Sequence, residues 1–379
     1  MNDTLLTMNW RSATLGLVMA CTTLALLYLV ARRIERRAVG WLVAFVAAGM
    51  ISAVPMVIGF AGAYDRWPGL TFLPTQLALL FGPLIVLHAR TLMLNEPLGR
   101  WRWLLMPGLV YWLYQLWAFT ALGDYRAKWA FNDAVHEPYV VPTVLMGSLV
   151  LTFWGLTEVW RLRRRYLGWL ADNRSDDDAF EPVWLTHLVL IGTPLAVIWA
   201  IDSLLGLAFD LSYFDRYWSD MVTLFLLFFI TVEALARLQG PYPKMDALAE
   251  PPSAPSPEPA ARDWSEEGGR LQAAIVDNQW HLEPDLSLQT LSRRFGMNQA
   301  YVSRALNQGL GERFSHLING LRVDHAKALI DEGALNLLDI ALASGFGSKA
   351  SFNRAFKEHS GLTPSAYRRQ AVTAHADAA

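Results

Sequence analysis

The stretch LDIALASGFGSKASFNRAFKEHSGLTPSAYRR, residues 338–369, decides how the C-terminal part of this chain folds. Leu338 to Phe346 read as a short apolar helix running into a turn at Gly345, a residue free to take positive φ. Ser348 caps a second helix, Lys349 to Glu358, with Phe352 and Phe356 one turn apart and facing a core. Gly361-Leu362-Thr363-Pro364 then turns into a final short stretch around Tyr367. Helix, glycine turn, helix is the order of a helix-turn-helix.

The same order occurs once upstream. Leu288, Leu291 and Phe295 line one face of a helix that Gly296 ends, and Asn298 caps a second helix from Gln299 to about Gln308. Between the units lies a longer helix, Arg313 to Asp331, with Phe314, Leu317, Ile318, Leu321, Val323, Ala326, Leu329 and Ile330 available for burial. The exposed residues of the second helices suit DNA, because Asn and Gln pair bidentately with adenine, and Arg and Lys with guanine. The first unit offers Asn298, Gln299, Ser303, Arg304, Asn307 and Gln308; the second offers Ser348, Lys349, Asn353, Arg354 and Lys357. The formal charge of Ser287–Gln370 is about +5, appropriate for a polyanion. A basic helix is usually only a solvated face, but two units in register, each with a glycine turn, are hard to obtain by chance.

These residues resemble the AraC/XylS family of transcription regulators. The second unit carries the likeness in Ile340-Ala341, Gly345-Phe346, Phe352, Arg354-Ala355-Phe356-Lys357, Gly361, Thr363-Pro364 and Tyr367-Arg368. The first follows it more loosely through Leu291, Phe295-Gly296-Met297, Tyr301-Val302-Ser303-Arg304, Gly311 and Phe314, and Arg322 and Ala326 fit the linking helix. Leu306-Asn307-Gln308 departs from the family's aromatic and basic pattern, and Leu337 stands where a Ser- or Val-like residue is more typical. The resemblance implies that both recognition helices enter successive major grooves of double-stranded DNA, about 34 Å apart. It also implies transcriptional control, activation being the family's commoner mode, with RNA polymerase and a second copy of the chain as candidate partners.

Outward from this domain the composition changes. Residues 240–262, GPYPKMDALAEPPSAPSPEPAAR, have no apolar periodicity and read as a flexible, disordered linker. Before it, charge is sparse. The whole chain is 53% hydrophobic and 17% charged with 16 Trp, against about 25% charge in soluble proteins, and Trp gathers at membrane interfaces. Seven stretches approach the length of a spanning helix: Ser12–Ala31, Gly40–Ala63, Leu70–Leu94, Trp103–Leu122, Tyr139–Trp160, Val183–Leu207 and Trp218–Leu238. Arg32, Arg33, Arg36, Arg37, Arg100, Arg102, Arg161, Arg163, Arg164, Arg165, Arg174, Arg237 and Lys244 fall on one side. Only Arg11, Arg66, Arg126, Lys128 and Arg216 fall on the other. The positive-inside rule then puts the N-terminus outside and the C-terminus in the cytoplasm of a bacterial inner membrane.

The expected architecture is therefore all-α. A seven-helix transmembrane bundle (1–239) leads through the linker (240–262) to a double helix-turn-helix domain (263–370) and a disordered tail (371–379). Polar groups at membrane depth suggest function or interhelical bonding; Gln76, His88, Gln115, His187 and Asp202 are the candidate ligand residues, the bland reading favoured for each. Arg90, Glu158 and Glu233 lie near helix ends where long side chains snorkel. The outward face carries Asp124, Asp133 and Glu137 beside Trp67 and Trp129, a mouth for a cationic or amphipathic ligand that ordinary solvated loops with an aromatic belt would equally produce, the latter being the favoured reading. Cys21 is the only cysteine, so no internal disulfide or cysteine metal cluster is available. No catalytic residue, cofactor site or metal site stands out, and no deep carboxylate ladder points to proton-coupled transport. The leading expectation is a membrane-tethered regulator that senses an unknown small-molecule or membrane signal. A transporter or membrane enzyme with an autoregulatory DNA-binding domain is the alternative, and a simple membrane anchor is a third.

Overall fold

The computed structural model describes residues 9–208, 217–238, 241–246 and 263–378, and among them it is helical without a β-strand. The chain divides into two compact units, residues 1–164 with 182–248, and residues 165–181 with 249–379.

In the first unit, helices α1 (Trp10–Ala31), α2 (Arg36–Phe60), α3 (Phe81–Met93), α4 (Met106–Ala121), α5 (Val141–Asn173), α6 (Val183–Ala208) and α7 (Tyr217–Arg237) follow the apolar stretches. Five helical stretches among the described residues are long and apolar enough to cross a membrane. The other two expected spans are not continuous helices. Leu70–Leu94 breaks into a 3-10 turn over Pro68–Phe72, an irregular stretch, and the 13-residue α3. Trp103–Leu122 opens as a 3-10 helix before the 16-residue α4. Pro74 accounts for the first break, because proline bars helical geometry from the residue before it. The freed backbone is satisfied from a neighbouring helix: Gln115 on α4 accepts from the Gln76 N–H at 3.1 Å and donates to the Gln76 carbonyl at 2.9 Å.

Small residues set the close approaches. A Cβ on Gly82 of α3 would lie 1.9 Å from the Leu151 carbonyl of α5, and one on Gly155 would lie 2.6 Å from the Gly82 Cα. Such glycine-on-glycine crossings let membrane helices pack on dispersion alone. Arg90, expected to snorkel, is buried: it pairs with Glu96, lies 3.5 Å from Glu158, and stacks 3.7 Å from the Trp101 ring centroid.

Residues 241–246, which fall within the expected linker, are packed in the first unit. Met245 exchanges backbone hydrogen bonds with Met93 and Asn95, the Tyr242 N–H donates to Glu35, and Lys244 lies 3.3 Å from the Glu35 carboxylate. Tyr242 is buried by the same contacts. Residues 247–262 lie outside the described residues.

The second unit holds α8 (Trp264–Asp277), α9 (Leu288–Phe295), α10 (Gln299–Arg304, continued by a wider π turn over Ala305–Leu310), α11 (Phe314–Glu332), α12 (Leu337–Ala343), α13 (Lys349–Ser360) and α14 (Pro364–Ala378). Two cores form around α11. Leu271, Ile275, Leu291, Val302, Leu306, Phe314 and Ile318 make one; Val323, Ala326, Ile330, Ile340, Phe346, Phe352 and Phe356 make the other. The expected short stretch and disordered tail are instead one helix, α14, carried to Ala378 from the proline at its first position.

Candidate nucleic-acid interface

Each helix-turn-helix is built from local rules. Ser287 caps α9 by accepting from the Thr290 N–H, Gly296 ends it at φ +64°, and Asn298 caps α10 by accepting from the Ala300 N–H at 2.8 Å. In the second unit Asn336 caps α12 twice over, through the Leu338 and Asp339 N–H groups. Ser348 caps α13 through the Ser351 N–H at 3.1 Å. Asn298 and Ser348 therefore spend their side chains on the helix ends.

The remaining expected DNA residues stand on the outer faces of α10 and α13. Gln299, Asn307, Gln308, Lys349, Asn353, Arg354 and Lys357 are exposed, while Ser303 and Arg304 are half-buried. Arg304 lies 5.9 Å from the Trp264 ring centroid, a cation–π approach that steadies its stem. Opposite each exposed face sits an apolar one: Val302, Ala305 and Leu306 under α10, and Phe352, Ala355 and Phe356 under α13.

Arg322 of α11 ties that helix to the loop that leads into α9. Its side chain is 1% exposed, and it donates to the carbonyls of His281 at 2.7 Å and Glu283 at 2.6 Å. Burial pulls the guanidinium down to about 10, against the raising pull of Asp176 and Asp285, so it stays charged near neutrality.

One set of contacts was not visible in the sequence. Residues 165–181, which are the C-terminal end of α5 (165–173) and the stretch that leads on toward α6 (174–181), belong to the second unit. Ser175 is buried there, donating to the Leu286 carbonyl at 2.9 Å through its hydroxyl and accepting from Arg322 at 3.0 Å. Asn173 accepts from the Gln299 amide at 2.6 Å, and Arg313 lies 3.8 Å from Asp172. Burial pushes the Asp177 carboxyl up, while the nearby Arg354 guanidinium and a hydrogen bond from Ser315 favour its charged form. A cavity of about 460 Å³ lies alongside, lined by Asp177, Arg313, Ser315, Asn319, Arg354 and His359 among others.

The expected ligand residues of the first unit do not converge. His88 is fully buried, its Nδ1 2.8 Å from the Ala38 carbonyl and its Nε2 accepting from Trp184 at 3.4 Å, which ties α2, α3 and α6 together. His187 pairs with Glu233 at 2.6 Å, and Glu233 also meets Arg237. The Asp202 side chain lies outside the described residues. Among the described residues, Gln76 and Gln115 share a site, a cavity of about 260 Å³ lined also by Tyr111, Tyr114, Trp129 and His136. Lys128 lines it, and no carboxylate is among its lining residues.

Comparison with known proteins bears on the second unit alone. A family model described as a helix-turn-helix domain matches residues 291–370. An uncharacterized HTH-type transcriptional regulator of Staphylococcus aureus (strain MSSA476) is 40% identical over 95 residues, which is 24% of this chain and 13% of that protein. The HTH-type transcriptional regulator GlxA of Rhizobium meliloti (strain 1021) is 30% identical over 124 residues, 33% of this chain and 38% of that one. The chain thus spans well under half the length of either relative. Among solved structures, a protein of unknown function from Listeria innocua is 34% identical over 27% of this chain and 93% of its own, with a TM-score of 0.25. The C-terminal domain of AraT, a response regulator from Geobacillus stearothermophilus, is 28% identical over 29% of this chain and 88% of its own, with a TM-score of 0.26. Helix order, capping pattern and the family match agree that residues 291–370 are a helix-turn-helix domain of AraC type at the C-terminus of this chain.

Proposed function

We propose that the chain is a membrane-tethered, sequence-specific DNA-binding regulator of transcription. The observation that carries this reading is the pair of capped helix-turn-helix units on a chain that also has five helices apolar enough to span a membrane. The amide and basic side chains of α10 and α13 read base edges and phosphates in successive major grooves. The basic flanks of the apolar helices set the C-terminal domain in the cytoplasm, where DNA is. For the signal, the cavity at Gln76 and Gln115 has room for a small molecule, and its aromatic lining favours a planar or apolar one. Pairing of two copies would place four recognition helices on one operator and raise the effective concentration at the second half-site.

The test is genome-wide occupancy in the native cell, comparing the full-length chain with an Arg354→Ala/Lys357→Ala variant. Sharp peaks lost in the variant are expected. Peaks that persist unchanged would refute a DNA role for α13. An absence of peaks under varied growth conditions would move the reading to transport or reception by the apolar part, tested by solute flux in vesicles.

A further inference from the structure

We infer that residues 172–181 are an internal competitor of DNA: a docked acidic segment that engages Gln299 at the start of α10, lies beside Arg354 of α13, and must leave before DNA binds. This rests on the DNA-binding reading of the preceding section and adds the control of that site.

Three observations converge. The segment reads Asp172-Asn173-Arg174-Ser175-Asp176-Asp177-Asp178-Ala179-Phe180-Glu181, a run of carboxylates with one internal arginine. Arg174 is already held by Asp176, at 2.6 and 2.7 Å through two parallel hydrogen bonds, so it does not offset the acids that face the domain. The partners of the segment are residues assigned here to DNA or lying beside them. Asn173 takes the amide of Gln299, the first residue of α10, and Asp177 faces Arg354 on α13. A carboxylate opposite an arginine, and an amide opposite a glutamine, present the same acceptors as a phosphate and a base edge. One ligand of this kind reaches both recognition helices.

The segment is also anchored rather than draped. Ser175 is 3% exposed, its backbone N–H and its hydroxyl both donate to the Leu286 carbonyl, and Arg174 pairs with Ser287 as an isolated antiparallel bridge. Leu286 and Ser287 lead directly into α9, so the anchor sits at the entry of the first helix-turn-helix. In sequence the segment runs from the last two residues of α5 almost to the start of α6, two of the apolar helices. Any change in those helices is therefore delivered to it through short covalent connections, without passing through the long Pro-rich stretch before α8. Apparent DNA affinity then scales with the fraction of molecules in which the segment is undocked.

The full chain in lipid nanodiscs is the material for the test, and a fluorescein-labelled duplex of random sequence at low salt is the probe. Asp172→Asn/Asp177→Asn removes the acids that face the domain. Asp331→Asn/Glu332→Gln makes the same change in charge at the opposite end of α11 and serves as the control. If the segment is docked in about nine molecules of ten, freeing it tightens the duplex by roughly tenfold, and the control moves affinity far less. Hydrogen exchange on the unmodified chain gives a second reading that needs no variant. Duplex added at saturation should expose the Ser175 amide to exchange. Equal affinity in variant and control, or a Ser175 amide equally protected with duplex bound, overturns the inference while leaving DNA binding intact. Failure of every form to bind duplex would instead bring down the DNA-binding reading, and this inference with it.

Discussion

Replacing Gly345 by alanine puts a methyl group where the backbone of Leu282 already lies. The residue sits at φ +83°, and a Cβ there would be 2.6 Å from the Leu282 carbonyl oxygen and 2.7 Å from its carbon. Leu282 cannot retreat easily, because the carbonyls on either side of it, His281 and Glu283, are both held by Arg322. The left-handed conformation alone disfavours an L-residue by ~1–2 kcal/mol, and forcing extra volume into a packed site typically adds ~1–3 kcal/mol. Gly345→Ala should therefore destabilise the domain by about 2–5 kcal/mol, a large part of the ~5–15 kcal/mol that stabilises a folded protein. Gly296 isolates the two contributions. It also has positive φ, +64°, but nothing lies within 4 Å of its Cβ position. Gly296→Ala should thus lose only the conformational part, ~1–2 kcal/mol.

Native-state hydrogen exchange on the full chain reads each loss locally: Gly345→Ala at the Phe346 and Phe352 amides, which donate to Ala341 and Ser348, and Gly296→Ala at the Met297 and Val302 amides, which donate to Ser292 and Asn298. Combining Gly345→Ala with Arg322→Met should be less damaging than the sum of the two, since the loop is then free to shift. Equal losses for Gly345→Ala and Gly296→Ala, or strict additivity with Arg322→Met, would refute the clash.

Arg322→Met by itself leaves the buried carbonyls of His281 and Glu283 and the Ser175 hydroxyl short of a donor, and should lower stability by about 2–4 kcal/mol in the same exchange measurement. Lys357→Ala should weaken DNA binding evenly across sequences and flatten the slope of log K against log salt by ~0.9 if it meets one phosphate. Asn353→Ala should instead relax sequence preference by about 1–3 kcal/mol if it reads a base, visible in competition binding against base-substituted duplexes. Burial, and then the neighbouring His316 ring 4.3 Å away, hold the His359 imidazole below its ordinary value. The folded form refuses a proton that the unfolded chain accepts, so stability is full above the ordinary histidine pKa and falls as the pH drops through it. Denaturation profiles of His359→Gln between neutral and mildly acid pH should be flatter than those of the parent, with the slope due to His281 remaining.

What the sequence made legible follows the range of the forces involved. The helix-turn-helix units rest on neighbours in sequence: Ser287 and Thr290, Asn298 and Ala300, Ser348 and Ser351, with a glycine at each turn. Caps and apolar spacing announce such contacts directly. The polar groups of the apolar part obey partners far along the chain. His88 answers to Ala38 and Trp184, and His187 to Glu233. Gln115 answers to the broken backbone at Gln76. No local pattern marks those pairs, so five polar residues looked alike as candidates when three of them close gaps between helices. Pro74 was the available sign that the third apolar stretch would break, but its hydropathy reads as continuous. The tail misread at α14 has a plain cause: alanine-rich sequence after a proline propagates a helix even without an apolar face.

The Asp172–Glu181 contact has the strength a switch requires. Arg313 and Asp172 are both substantially exposed and 3.8 Å apart, and such a pair contributes ~0–1 kcal/mol. The Gln299–Asn173 bond contributes about 1 kcal/mol, as neutral hydrogen bonds do. The buried Ser175 bonds add a little more, yet Arg322 keeps the Glu283 and His281 carbonyls as partners when Ser175 leaves. The total is therefore a few kcal/mol, comparable with the ~1–3 kcal/mol by which an effector at one site shifts another. A contact several times stronger would hold the recognition helices shut against any ligand of the apolar part, and a much weaker one would leave nothing for a signal to change. The two helix-turn-helix cores do not include the segment among their buried apolar residues. It can leave without unfolding the helices it touches.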